Sequence, residues 1–272
     1  MRKIAIYGKG GIGKSTTCSN LCAALSIKNN RILQVGCDPK HDSCRTLTGK
    51  LIPTVLDTWR EVELLGKPIN KNDILFHGFN NISCIEAGGP VPGEGCAGRG
   101  VIKMMEILND LGINDIHYDY VFYDVLGDVV CGGFAKPIQE GFANEIYIVT
   151  SGEFMSLYAA NNISKAISTI GTHNNVGLGG VILNSRNIPN EENIVREFCS
   201  SINANFIMTI PRDNNIAKYE RIGQTVIEGN SDLEIAQKYL NLADKIEKNT
   251  KTTIPNPMEE KFLRELYEKF FN

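Results

Sequence analysis

Short apolar runs recur along the chain, separated by polar stretches long enough to form helices. Ile4-Ala5-Ile6-Tyr7 is the first run. Others of strand character cover residues 31–36, 81–86, 119–124, 145–150, 180–184 and 206–210. Helical patterns fall between or after them, at about 15–27, 53–63, 155–168, 232–247 and 258–271. Strands alternating with helices predict an α/β fold with a doubly wound, mostly parallel sheet. There is no internal repeat, low-complexity linker or clear boundary, so residues 1–272 read as a single domain.

The first run breaks into Gly8-Lys9-Gly10-Gly11-Ile12-Gly13-Lys14-Ser15, followed by Thr16 and Thr17. This satisfies G-x-x-x-x-G-K-[ST], the phosphate-binding loop. Glycines let backbone N–H groups curl around a phosphate, which a Cβ would obstruct. Lys14 is placed to reach the β- and γ-phosphates and Ser15 to hold Mg²⁺. The helix that follows points its positive end at the anion. A Gly-rich turn that binds nothing is the alternative. It does not account for strand, loop and helix start falling in that order. Lys9 resembles the extra lysine of the deviant Walker A ATPases, which reaches across a dimer to the other subunit's nucleotide.

Three further segments carry polar side chains at strand ends, two of them acids, where an open parallel sheet places its ligand chemistry. Asp38 follows the second run and is placed to position or deprotonate an attacking water. Beside it, Lys40 can reach a phosphate and Asp42 the water shell of the metal. A polar turn capping a helix is the bland reading of that segment. Asp124 closes the 119–124 run in the Walker B manner, near Mg²⁺. Asp124-Val125-Leu126-Gly127 gives a D-x-x-G arrangement, and with Asp128 it can sense a γ-phosphate through a backbone N–H. Asn184 closes the 180–184 run, where related ATPases often read an adenine edge.

Composition narrows the partners. The formal charge is 28 − 31 = −3 and the isoelectric point about 5.9. No basic excess points to nucleic acid. The chain enters a strand at once, without a signal peptide. No apolar run approaches the ~18 residues of a membrane span. The eight cysteines lack the density of a secreted disulfide scaffold. A reducing cytoplasm is the expected setting.

Iron–sulfur clusters are commonly held by four thiolates. Cys96 and Cys131 sit in Gly-rich stretches, 131 − 96 = 35 residues apart, and there is no C-x-x-C pair. Two ligands cannot hold a cubane alone, but a two-fold dimer supplies four, with the cluster on its axis. Two unrelated loop thiols remain the alternative on spacing alone. Cys18, Cys22, Cys84 and Cys199 read as core. Cys37 and Cys44 flank the Asp38 segment and are undecided.

Several motifs together resemble the nitrogenase iron protein family. They are the phosphate loop with Lys9, Gly36-Cys37-Asp38-Pro39-Lys40, Gly95-Cys96-Ala97-Gly98-Arg99-Gly100, the run from Tyr123 to Gly133, Tyr158-Ala159-Ala160-Asn161-Asn162 and Pro211-Arg212-Asp213. The similarity covers nearly the whole chain. It implies a homodimer with one 4Fe–4S cluster shared between Cys96 and Cys131 of both subunits. It also implies one MgATP per subunit, with Pro211, Arg212 and Asp213 in the nucleotide set. Electrons would pass from ferredoxin or flavodoxin through the cluster to a larger catalytic partner, a nitrogenase component in nitrogen fixation. Arg99 matches an arginine that some bacteria modify by ADP-ribosylation, and it stands where the partner would dock. His41 replaces a usual small residue, and the 60s segment differs. Gly141-Phe142-Ala143 and Arg221-Ile222-Gly223 resemble the nitrogenase-like reductases of nickel-tetrapyrrole (F430) synthesis or sulfur salvage. A partitioning ATPase is a further alternative. Its basic membrane helix is not matched by residues 258–272, which alternate Glu with Lys and Arg.

Overall fold

The computed structural model describes residues 1–89, 97–125, 127 and 142–271. Eight strands form one sheet: β1 (Arg2–Tyr7), β2 (Ile32–Cys37), β3 (Phe76–His77), β4 (Ser83–Glu86), β5 (Tyr120–Val125), β6 (Glu145–Thr150), β7 (Gly177–Asn184) and β8 (Phe206–Ile210). Their order is β3-β4-β2-β5-β1-β6-β7-β8. Among the described residues only the two-residue β3 runs antiparallel; every other neighbouring pair is parallel. This is the doubly wound α/β class expected from the alternation of runs.

The longer helices are α1 (Lys14–Ser26), α2 (Val55–Leu64), α3 (Ala97–Asp110), α4 (Phe154–Asn174), α5 (Glu191–Ser201), α6 (Asn214–Arg221), α7 (Glu234–Lys248) and α8 (Glu260–Glu268). They cover both faces of the sheet, which is why the central strands are apolar throughout rather than alternating. The pleat divides β1 between two cores. Ala5 and Tyr7 join α3, α4, α5 and α8 on one face. Ile4 and Ile6 join α1 and α7 on the other.

Some boundaries move from the sequence reading. β7 begins at Gly177, not 180. Gly179 lies against the Tyr147 ring, where an added Cβ would sit 2.5 Å from Cζ. Close packing selects glycine there. α2 starts at Val55 because Thr54 caps it, its hydroxyl accepting from the Asp57 N–H at 3.1 Å. α3, α5 and α6 were not expected. α3 opens on Ala97-Gly98-Arg99-Gly100, which reads as loop, but Gly100 lets Leu56 of α2 approach closely.

Candidate functional site

β1 lies between β5 and β6, so its carboxyl end opens at the centre of the sheet. The phosphate loop leaves from there. Gly8, Gly11 and Gly13 have φ of 151°, 72° and 96°, a region that disfavours any residue with a Cβ. A Cβ on Gly8 would also collide with the Val149 carbonyl. Gly13 is the N-cap of α1, and no side chain caps the helix. The first amides of α1 therefore point into the loop, an anion cradle made of backbone. Lys14 is largely buried and its Nζ donates to the Lys9 carbonyl at 3.3 Å, bent over the loop it would serve.

Three carboxylates converge on the strand ends beside this cradle. Asp124, at the end of β5, is 1% exposed. Its Oδ2 accepts from the Ser43 hydroxyl at 2.6 Å. Its Oδ1 is buried and has no hydrogen-bond partner among the described residues. Burial raises the Asp124 pKa, against the pull of the Ser15 and Ser43 hydroxyls and Lys14, and Asp38 adds to the rise. An orphaned carboxylate oxygen beside Ser15 and the phosphate cradle suits a hard cation with oxygen ligands, so the residues fit Mg²⁺.

Asp38 follows β2 and is 8% exposed. Its Oδ1 accepts from the Lys40 N–H at 3.0 Å, and Lys40 Nζ stands 3.4 Å from Oδ2. The Asp38 carboxylate raises the Lys40 pKa. Lys40 and Asp42 are exposed, and His41 between them is left-handed at φ 46°. The third carboxylate is Glu86, at the end of β4. Its Oε1 accepts from the Cys44 N–H at 2.6 Å. Burial pushes its pKa up to about 8. A Cβ on Gly36 would collide with Glu86 Oε2, so Gly36 makes room for it. The sequence reading gave Glu86 no role, although it closes a strand as Asp124 does.

Beside the phosphate loop lies a cavity of about 260 Å³ lined by Gly11, Gly13, Thr16, Asn184, Arg212 and Asp213, among others. The structure thus gathers three widely spaced motifs. Pro211 is not among the lining residues. Asp213 also caps α6, accepting from the Asn215 N–H at 2.7 Å. Asn184 Nδ2 donates to the Ile12 carbonyl at 2.7 Å.

Gly127 meets the phosphate loop. An added Cβ would collide with the Gly8 carbonyl and lie 2.8 Å from both Gly10 N and Lys9 C. Asp128, Cys96, Cys131 and Gly141 lie outside the described residues. Arg99 is exposed on the first turn of α3. The other six cysteines, Cys18, Cys22, Cys37, Cys44, Cys84 and Cys199, are all buried and unbridged. Burial raises the Cys37 and Cys44 thiols, and brings Cys199 to about 12. Such thiols are poor metal ligands, and they answer the open question of Cys37 and Cys44 in favour of core. Among the described residues no group of three or more His, Cys, Asp or Glu is arranged to hold a metal ion, and no helix is long and apolar enough to cross a membrane.

The sheet order and the glycine loop define a P-loop ATPase fold of the MinD and ParA kind. The MinD cell division ATPase of Pyrococcus furiosus superposes with a TM-score of 0.67 at 22% identity, covering 91% of this chain and 98% of that one. Aquifex aeolicus MinD gives 0.66 at 18%, covering 92% and 98%. At that identity the likeness is one of fold alone. Sequence is more specific. The chain belongs to the NifH/frxC family of 4Fe-4S iron–sulfur cluster binding proteins, matched over residues 2–272. It is 50% identical over 270 residues to nitrogenase iron protein 2 of Methanothermobacter thermautotrophicus, covering 99% of this chain and 98% of that protein. It is 51% identical over 269 residues to the nitrogenase iron protein of Methanospirillum hungatei, covering 98% and 95%.

Proposed function

We propose that this chain is an ATP-driven electron donor. It acts as a homodimer whose two copies share one 4Fe–4S cluster through Cys96 and Cys131. Its partner is a nitrogenase catalytic component, and ferredoxin or flavodoxin recharges it in the cytoplasm. The observation that carries this reading is the seat of Gly127 on the phosphate loop, four residues ahead of Cys131 in the sequence. A change at the γ-phosphate has a short covalent path to a cluster ligand.

The donor sets fit both groups. Two thiols per chain remain once the six buried ones are set aside, and soft thiolates suit iron–sulfur clusters. Ser15 and Asp124 would hold Mg²⁺, directly or through water. Bound there, the ion neutralises phosphate charge, and the cluster supplies one-electron chemistry.

The chain's own residues do the rest. Backbone amides of the loop and α1 cradle the phosphates, and Lys14 swings from the Lys9 carbonyl to the γ-phosphate. Lys9 reaches the nucleotide of the other copy. Asp38 orients the attacking water and accepts its proton, and Asp42 and Lys40 line the approach. Gly127 and Asp128 register the γ-phosphate and relax when it leaves. Driving such a two-state dimer from about 1:99 to 99:1 takes ~5.5 kcal/mol of differential binding, which two γ-phosphates can supply.

The test mixes the reduced protein with a nitrogenase catalytic component and MgATP and follows oxidation of the cluster. MgATP-dependent oxidation is expected. Oxidation only with a tetrapyrrole-reducing or sulfur-salvage component would move the partner assignment to the nitrogenase-like systems. Nucleotide binding without any cluster would favour a positioning ATPase.

A further inference from the structure

Beyond β7 the chain turns through Asn184-Ser185-Arg186-Asn187-Ile188 before α5 begins. This strap forms one wall of the cavity beside the phosphate loop. Two of its side chains donate to the phosphate loop: Asn184 Nδ2 to the Ile12 carbonyl at 2.7 Å, and Arg186 Nη2 to the Gly11 carbonyl at 2.6 Å. Its other side is folded around a single carboxylate, that of Glu191, the first residue of α5 and 5% exposed.

Glu191 accepts from four donors. The Ser185 hydroxyl reaches Oε2 at 2.6 Å and the Gly152 N–H reaches Oε1 at 2.9 Å. The Arg186 N–H is shared between both oxygens at 3.0 and 2.9 Å, and the Ile188 N–H stands 3.4 Å from Oε2. Ser185 Oγ in turn accepts from the Asn187 N–H at 3.1 Å. A buried carboxylate requires such donors, and charge-assisted bonds of this kind are the strong ones. Gly152 belongs to the segment after β6, so Glu191 ties the strap to a second strand end.

We propose that Glu191 is a positioning residue for base recognition, fixing the strap so that Asn184 presents one polar edge to the nucleobase. This rests on the reading of the site as a nucleotide site. The Ile12 carbonyl can only accept, so it takes the Asn184 NH₂ and leaves Oδ1 as the free edge. Adenine carries a donor amine where guanine carries a carbonyl. A fixed Oδ1 favours the former, and a loose strap would lose the distinction. Glu191 touches no ligand in this scheme and acts through Ser185 and Arg186.

Two substitutions from different elements test it. Glu191→Ala removes the carboxylate. Gly152→Ala pushes on it, because an added Cβ would lie 2.6 Å from Glu191 Cγ. Calorimetry on the full-length protein with Mg²⁺ measures affinity for ATP, GTP and tripolyphosphate. Both variants should bind ATP at least ~10-fold more weakly, as expected for lost charge-assisted bonds, with tripolyphosphate held within about twofold. The ATP-over-GTP preference should shrink in step. Glu191→Gln keeps one carbonyl acceptor and should fall between, and it decides the matter if Glu191→Ala does not fold. A parallel loss of ATP and tripolyphosphate, or an unchanged ATP-to-GTP ratio, would overturn the positioning role. Wild-type protein that binds no ATP would overturn the nucleotide reading beneath it.

Discussion

Gly127 lies against Gly8, so closely that the carbonyl of Gly8 leaves no room for a Cβ on Gly127. The two glycines follow the neighbouring strands β1 and β5 at the centre of the sheet. Gly127→Ala should therefore wedge a methyl group between two backbones. Overpacking of this kind costs ~1–3 kcal/mol, which predicts a roughly 10-fold or greater loss of MgATP affinity. Calorimetry on the purified variant checks it, and unchanged affinity would contradict the contact.

Arg99 is exposed on the first turn of α3, the helix that follows the Cys96 stretch in the chain. A guanidinium there can pair bidentately with a carboxylate on a docking protein. Arg99→Glu should leave the cluster spectrum and ATP binding intact and abolish partner-dependent electron transfer, since like charges would meet at the contact. Salt should weaken transfer in the wild type, because such pairs are screened over ~8–10 Å. Full transfer by Arg99→Glu would rule out the docking role.

Glu86 makes stability depend on pH. Burial pushes its pKa from 4.5 up to about 8, so the folded protein binds this proton more tightly than the unfolded chain. The stability it contributes is complete below the unfolded value and drains away as pH rises through the folded one. Asp124, also raised by burial, acts in the same direction. Metal- and nucleotide-free protein should lose stability between about pH 5 and 8, at up to ~1.4 kcal/mol per pH unit for each such proton. Glu86→Gln should flatten that slope while keeping an acceptor for the Cys44 N–H. Denaturant titrations at several pH values decide, and parallel slopes in both proteins would contradict the burial argument.

The cysteines divide cleanly. Cys96→Ser or Cys131→Ser should abolish the cluster and its colour, whereas Cys18→Ala, in the buried face of α1, should keep both. Wild-type protein should carry about four iron atoms per homodimer. Four per monomer would exclude sharing.

What could be read from the sequence was local. The phosphate loop is eight consecutive residues whose order is dictated by an anion, so it needs no tertiary information. Asp38 and Asp124 were legible because an acid closing an apolar run is itself a local signal. Glu86 gives the same signal but belongs to no known motif, so motif reading passed it by. Glu191 could not be found that way. Its partner Gly152 lies 39 residues away, and an acid at a helix start usually means only a favourable dipole. The helices missed, α3, α5 and α6, begin in residues that suit loops. Their amphipathic faces are completed by partners that only the fold supplies.

Nucleotide-controlled exposure of the cluster is the centre of the account, and extraction of iron by a chelator measures it directly. Reduced wild-type protein is treated with an iron(II) chelator with and without MgATP, and colour development is timed. MgATP should accelerate extraction by at least ~10-fold, corresponding to a shift of about 1.4 kcal/mol or more toward the exposed form. Lys14→Gln should hold its cluster and lose the acceleration. Extraction at the same rate with and without MgATP in the wild type would contradict the coupling of the phosphate loop to the cluster.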